Sequence, residues 1–289
     1  MSVWKKVWRR YGINPLNSLL KKAQREGKTR FLICWNRGLG DIPLGLYALT
    51  QKIFTFIPDA SITFLTRPDL KEGFDLLPSV DVRVCPSWKR GEPISIPSEL
   101  KGLFDVVLEK PDPTAWLLKE QKHTIPKLMW NSAWDKEVEG FNLDPQKTYI
   151  AVHTETQTVY GYEKNWPCAH FEALFSHLPQ EFSVILVGGP SSVQYPNTID
   201  LRGKTSLKQL LALIKNHTSY LLAPDSGILS MVYYLDACFP LKVVSLWADP
   251  RQGILKHKIP SPNPKLTHFP LIADKLEKLD WQTVLKAFI

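Results

Sequence analysis

The sequence predicts an α/β protein with two parallel sheets, because a strand–helix–strand pattern occurs twice along its 289 residues. Residues 31–35 form a continuous apolar run, which is typical of a parallel strand covered on both faces. A glycine-rich turn and a helical pattern follow, and the same succession begins again at residues 149–152. We therefore predict two domains with their boundary near Asp144-Pro145.

The individual elements follow from the spacing of apolar residues. Strands are predicted at residues 31–35, 62–65, 80–84, 105–108, 149–152, 182–187, 220–223 and 243–247. Helices are predicted at residues 44–57, 69–77, 169–178, 207–215, 227–237 and 274–288. These elements predict an arm of residues 1–29, an N-terminal domain of residues 30–144 and a C-terminal domain of residues 145–289. The last helix packs either on its own domain or back on the N-terminal one.

The net charge of +8 is concentrated in the N-terminal arm. Residues 1–30 contain nine Lys or Arg and one acidic residue, Glu26, whereas the remaining 27 basic and 27 acidic residues balance. Because nucleic-acid binding would require a basic face on the body of the protein, we expect no nucleic-acid partner.

The arm carries aromatic and apolar residues at helical spacing, surrounded by basic side chains. The apolar positions are Trp4, Val7, Trp8 and Tyr11, followed by Leu16, Leu19 and Leu20. Tryptophan beside basic residues suits an anionic membrane surface, but helices packed on the body give the same pattern, and the sequence leaves both interpretations open. No apolar run is long enough to cross a bilayer, and the N-terminus does not have the pattern of a secretory signal. We expect a cytoplasmic protein, peripheral at the inner membrane if the arm binds lipid.

Ligands of parallel α/β sheets bind at the carboxyl ends of the strands, and three segments are predicted to lie there. The first is the turn that contains Gly38, Gly40 and Asp41, after the first strand. The two glycines allow the backbone to approach a ligand, and Asp41 could act as a general base towards a hydroxyl group. The alternative is that Asp41 only caps its helix, and the local pattern by itself favours the cap.

The second segment contains Lys164, followed by Asn165, Trp166 and Pro167 at the start of a helix. A lysine there could neutralise a pyrophosphate, although a single loop lysine is more often only solvated. In the third segment, Asp225, Ser226 and Gly227 open another helix, which is a favourable place for an anion. Here too the alternative is a helix cap.

The sequence does not have the motifs of a dinucleotide-binding site, a P-loop or a structural zinc site. The glycine turn lacks the third glycine of the dinucleotide fingerprint, where Pro43 stands, and it lacks the Gly-Lys-Ser/Thr of a P-loop. The four cysteines include no C-x-x-C pair, so we expect no structural zinc site.

Taken together, the motifs resemble the heptosyltransferases, glycosyltransferase family nine, which have the GT-B fold of two Rossmann-like domains whose parallel sheets face a central cleft. The matching motifs are the Gly-Asp turn at residues 40–41, Lys-x-Trp-Pro at 164–167, Val-Gly-Gly at 187–189, Leu-x-Gly-Lys-Thr-Ser-Leu at 201–207 and Asp-Ser-Gly at 225–227. The resemblance covers roughly residues 30–248.

The resemblance implies roles for the matching residues. Asp41 corresponds to the general base, with Gly38 and Gly40 on the acceptor side. Lys164 corresponds to the lysine on the donor phosphates, and Asp225, Ser226 and Gly227 to the loop that holds the sugar and diphosphate. Donor binding is also assigned to Gly188 and Thr154, although Thr156 and Thr158 are alternatives to the latter. The implied reaction transfers a heptose-like sugar from ADP-heptose to a lipopolysaccharide-core or related lipid-linked glycan, with inversion and without a metal or other cofactor.

One departure from the family pattern concerns the sugar. Family members carry a histidine five residues after Asp225, where this chain has Ser230. This leaves two alternatives open: a transferase that uses another nucleotide-sugar, and a nucleotide-sugar-binding protein without turnover.

Overall fold

The computed structural model describes residues 14–117, 120–158, 161–256 and 258–289. The chain divides into two compact units, residues 1–128 and 129–289, each with its own parallel sheet. The predicted boundary at Asp144-Pro145 falls later in the chain. Residues 129–144 group with the second unit because the 3₁₀ helix Ser132–Val138 packs on the helix Leu207–His217.

The first unit contains a four-stranded sheet in the order β3-β2-β1-β4, with all neighbours parallel. Its strands are β1 (Arg30–Trp35), β2 (Ser61–Thr66), β3 (Val80–Val84) and β4 (Val106–Leu108). Phe31, Leu32 and Ile33 are fully buried, as expected of a central strand with both faces covered.

The helices of the first unit are short and partly irregular. The α-helices are α1 (Pro15–Arg25), α2 (Tyr47–Phe56), α3 (Lys71–Phe74) and α4 (Pro113–Trp116). A π-helical turn, Ile42–Leu46, precedes α2, and 3₁₀ turns occur at Pro68–Leu70, Ser98–Leu100 and Glu120–Lys122.

Helix α1 packs on the first unit through an apolar face. Leu16 and Leu20 are buried, and the Asn14 side chain caps the helix at the Leu16 amide while its Nδ2 donates to the Trp116 carbonyl at 2.6 Å. For residues 15–25, packing on the body is therefore the correct interpretation of the arm. The predicted stripe Trp4, Val7, Trp8 and Tyr11 lies outside the described residues. Among the described residues, no helix is long and apolar enough to cross a membrane.

The second unit contains a six-stranded parallel sheet in the order β12-β11-β9-β6-β7-β8. Its strands are β6 (Thr148–Val152), β7 (Phe182–Leu186), β8 (Thr198–Asp200), β9 (Tyr220–Pro224), β11 (Leu241–Trp247) and β12 (Leu266–Ile272). Two-residue strands lie at the unit boundary (β5, Leu128–Met129) and after Tyr234 (β10, Leu235–Asp236). The predicted α/β class with two parallel sheets is confirmed.

The helices of the second unit flank these strands. They are α5 (Cys168–Ser176), α6 (Leu207–His217), α7 (Gly227–Tyr233) and α8 (Trp281–Lys286), with 3₁₀ turns at Gly253–Leu255 and Leu276–Lys278. The single helix predicted at residues 274–288 is wrong, because Asp280 accepts the Thr283 amide and starts α8 anew. Helix α8 packs on α5 within this unit.

Candidate active site

In the first unit, the turn after β1 does not use Asp41 as a helix cap. The Asp41 side chain makes no capping hydrogen bond to the following helical turn, and its Oδ2 instead accepts the Gly38 amide at 3.1 Å. An added Cβ on Gly38 would lie 3.0 Å from the same oxygen, so a side chain at this position would crowd the carboxylate. The carboxylate is thereby held over the glycine turn.

The helix after Asp41 begins with the π-helical turn Ile42–Leu46. Pro43 contributes no N–H, and the Tyr47 amide reaches back five residues to the Ile42 carbonyl. Gly45 leaves room for α4, because an added Cβ would lie 3.0 Å from the Pro113 ring. Such turns are frequent at functional sites, where they reorient the residues beside them.

Two arginines from other loops lie near this turn. Arg67, which follows β2, donates to the Arg37 carbonyl at 3.1 Å and pairs with Asp69 at 3.1 Å, while its buried Nε has no partner. Burial lowers the pKa of Arg67, and the nearby positive charge of Arg90 lowers it further, while Asp69 opposes the shift. Arg90 Nη2 would lie 3.9 Å from an added Cβ on Gly38. Like charges held together in this way favour an anionic ligand.

A cavity of about 300 Å³ opens at the carboxyl ends of β1 and β4. Buried Asn36 holds one wall, because its Nδ2 donates to the carbonyls of Lys89 at 3.1 Å and Glu92 at 2.8 Å. Charged side chains of both signs line the space: Arg37, Glu92, Glu109 and Lys110. Cys34 also lines it, but burial raises the pKa of its thiol to about 12, so it is not a thiolate at neutral pH.

In the second unit, the segment that carries Lys164 is fixed to its surroundings. Glu163 accepts the Leu276 amide at 3.0 Å, and Asn165 exchanges two hydrogen bonds with the backbone of Thr156. Trp166 is buried and donates to the Leu279 carbonyl at 2.8 Å. Lys164 therefore belongs to a segment that is fixed by hydrogen bonds and packing.

Lys164 and Asp225 meet at the carboxyl end of β9. Lys164 Nζ lies 3.1 Å from Asp225 Oδ2, and both side chains are nearly buried, at 14% and 11% exposure. Tyr162 donates to the same oxygen at 3.2 Å. Burial alone would lower the pKa of Lys164, but the Asp225 carboxylate, with Tyr162, outweighs it and the pKa is raised. The ammonium therefore stays charged throughout the neutral range.

Ser226 caps α7 and also binds a buried histidine. Its Oγ accepts the Leu229 amide at 3.2 Å and lies 3.1 Å from His153 Nδ1. Burial lowers the pKa of His153 to about 4, so the ring is neutral and Nδ1 can accept the Ser226 hydroxyl proton. Gly188 has φ +119°, and an added Cβ would lie only 2.6 Å from the His153 ring. The capping alternative thus holds for Ser226, whereas Asp225 is engaged by Lys164 and Tyr162.

Thr154 has a hydroxyl group without a partner. The residue is 2% exposed, it follows His153 at the end of β6, and its Oγ1 is buried without a hydrogen bond. Gly227 is the first residue of α7, and Ser230 is buried and donates to the Ser226 carbonyl at 3.1 Å. Because β9, β6 and β7 are neighbours, Asp225, Thr154 and Gly188 lie along one edge of the sheet.

Four residues near the predicted sites were not predicted from the sequence: His153, Tyr162, Arg67 and Arg90. His153 and Arg67 directly follow strands, so the position of loops at carboxyl ends could have identified them. Their partners depend on tertiary packing and have no local signal. Among the described ranges, no group of three or more His, Cys, Asp or Glu side chains could hold a metal ion.

The fold is similar to that of solved glycosyltransferases. The E. coli ADP-heptose lps heptosyltransferase II matches 90% of this chain and 97% of its own at 16% identity, with a TM-score of 0.60. A family 9 glycosyl transferase from Veillonella parvula matches 90% and 95% at 14% identity, also with a TM-score of 0.60. E. coli heptosyltransferase WaaC with ADP-2-deoxy-2-fluoro heptose matches 90% and 99% at 16% identity, with a TM-score of 0.53. No curated protein sequence matches significantly.

The parallel α/β units, together with these likenesses, define the GT-B type of fold. A family model described as "Glycosyltransferase family 9 (heptosyltransferase)" matches residues 117–248. The chain is similar to the heptosyltransferases of glycosyltransferase family 9 over these residues, and the resemblance predicted from its motifs is confirmed.

Proposed function

We propose that this chain transfers a heptose-like sugar from ADP-heptose to a lipopolysaccharide-core or related lipid-linked glycan, with inversion and without a metal ion. The observation that carries the proposal is the Lys164–Asp225 pair at the carboxyl edge of the second sheet. It combines a permanent positive charge for a leaving diphosphate with the carboxylate that holds this charge in place.

The residues assigned to donor binding contribute in different ways. Lys164 neutralises the charge that develops on the departing diphosphate. Thr154 offers an unused hydroxyl, and Gly188 keeps the backbone close to His153. Because the Ser226 hydroxyl is occupied by His153 and Leu229, Ser226 contributes chiefly by shaping the start of α7 at Gly227.

The first unit supplies the acceptor side. Asp41 takes the proton from the attacking hydroxyl, and the turn at Gly38 and Gly40 leaves room for the acceptor. The positive charges of Arg67 and Arg90 favour an acidic acceptor, and the cavity beside Asn36 has the volume of a sugar site.

A second candidate, transfer from another nucleotide-sugar, is favoured by Ser230. The family histidine would stand at this position, but Ser230 is buried and its hydroxyl turns back to its own helix. We expect a different residue at this position to change which sugar is bound rather than which nucleotide.

Contact with an anionic membrane, through residues 1–13 and the exposed face of α1, is part of the same proposal. Lys21, Lys22 and Arg25 are exposed on α1, so they can meet anionic headgroups while Leu16 and Leu20 remain packed. Deleting residues 1–13 should then weaken binding to anionic vesicles. Binding of the truncated protein at the wild-type level would disprove a role of residues 1–13 in the lipid contact.

The nucleotide is tested by thermal shift with ADP, UDP, GDP and their sugars. We expect ADP compounds to raise the melting temperature most, because a ligand that binds only the folded state stabilises it. Stabilisation by UDP compounds alone would overturn the ADP-heptose assignment.

A further inference from the structure

The carboxylate of Asp225 is enclosed on both of its oxygens. Oδ2 accepts Lys164 and Tyr162, at 3.1 and 3.2 Å. On the other side, an added Cβ on Gly253 would overlap Oδ1 and would lie 2.7 Å from the Trp247 ring. With 8% of the residue exposed, Asp225 obtains the contacts of its carboxylate from protein partners rather than from solvent.

Tyr162 contacts both members of the ion pair. Its hydroxyl donates to Asp225, and the Lys164 ammonium lies 4.5 Å from the centroid of its ring. Burial raises the pKa of Tyr162, the Asp225 carboxylate adds to the shift, and Lys164 opposes it. The phenol therefore remains a hydrogen-bond donor at every pH at which the enzyme would work.

A donor diphosphate changes the balance among these three groups. If the Lys164 ammonium turns to the phosphates, Asp225 loses its charged partner while its side chain is only 11% exposed. A buried carboxylate without a donor is strongly unfavourable, so the lysine could not leave unless another group stays on Oδ2. Tyr162 is the group already there.

We propose that Tyr162 is a positioning residue for donor recognition: its hydroxyl holds Asp225 while Lys164 moves onto the diphosphate, and its ring guides the ammonium. This inference rests on the proposed function, because it requires Lys164 to serve a nucleoside diphosphate.

The test compares Tyr162→Phe with the wild-type protein by calorimetric titration of ADP and of adenosine. The variant keeps the ring beneath Lys164 and removes only the hydroxyl. We expect ADP to bind about tenfold more weakly, as for loss of a hydrogen bond to a charged group, and adenosine to bind unchanged because it has no phosphate. A merely structural role would weaken both ligands alike.

A double-mutant cycle with Lys164→Met gives an independent readout. If Tyr162 acts through the lysine, Tyr162→Phe should cause no further loss of ADP affinity once Lys164 is gone. Tyr220→Phe is the matched control, because its hydroxyl donates to the Phe288 carbonyl at 3.1 Å and Tyr220 begins β9, the strand that Asp225 follows.

The outcomes separate the two proposals. Tenfold weaker ADP binding with unchanged adenosine binding supports the role of Tyr162. ADP affinity within twofold of the wild-type value in Tyr162→Phe overturns this role and leaves the proposed function standing. If the wild-type protein binds no ADP, the proposed function fails and the role of Tyr162 fails with it.

Discussion

Lys164 Nζ and Asp225 Oδ2 lie 3.1 Å apart, although 61 positions separate them in the sequence. The pair is nearly buried, and each residue belongs to a segment that is fixed by other contacts: Glu163 and Trp166 beside the lysine, Ser226 beside the aspartate. A buried pair of this kind contributes little net stability compared with apolar packing, and the proposed function gives it a role in ligand binding.

Lys164→Met should weaken ADP binding roughly 10- to 100-fold, because a charge-assisted contact to phosphate is lost. Calorimetric titration measures the effect. Lys215→Met is the matched control, since Lys215 forms a comparable ion pair with Asp135 at 2.9 Å in the same unit. Equal losses of ADP affinity in the two variants would show that the effect is general rather than local.

The stability of the protein should fall in mild acid because His153 is buried as the neutral ring. Its pKa is lowered to about 4 in the folded state, while an unfolded histidine titrates near 6.5. The stabilisation is complete above pH 6.5 and is lost as the pH falls from 6.5 towards 4, on the order of 2 kcal/mol at pH 5. Urea unfolding at pH 7.5 and 5 measures it.

His153→Asn should remove this part of the pH dependence. A smaller fall should persist, since burial also lowers the pKa of His268 to about 4. An unaltered pH dependence in the variant would contradict the assignment to His153.

Gly188→Ala should destabilise the protein by about 1–3 kcal/mol and reduce nucleotide binding. The new Cβ would overlap the His153 ring, and the alanine would have to adopt a φ of +119°. Gly189→Ala is the control, because nothing lies within 4 Å of its added Cβ and its φ is not positive. Thermal melting of the two variants tests this, and similar melting temperatures would refute the close contact with His153.

Much of the fold could be predicted because the central strands are continuous apolar runs with turn residues at their ends. The edge strands could not. β12 contains Pro270 and alternates exposed with half-buried residues, which is tolerated only at a sheet edge and does not have the pattern of a buried strand. β8 has only three residues.

For the site, the positions of Lys164 and Asp225 follow from their loops at the carboxyl ends of strands. The pairing of Ser226 with His153 could not be foreseen, because a capping serine has the same local sequence whether or not a histidine from β6 reaches it. Asp41 differs from Ser226 because it does not cap its helix. Its local pattern favoured a helix cap, but the carboxylate accepts the Gly38 amide instead.

The proposed role of Asp41 as the general base of a sugar transfer is tested by Asp41→Asn. The measurement is the rate of ADP release from ADP-heptose in the presence of lipopolysaccharide core that lacks heptose, together with the dissociation constant of ADP. Asp59→Asn, which alters an exposed carboxylate of the same unit, is the control. We predict a rate lowered about 10²- to 10⁴-fold with unchanged ADP affinity. Transfer at the wild-type rate by Asp41→Asn would show that Asp41 is not the general base.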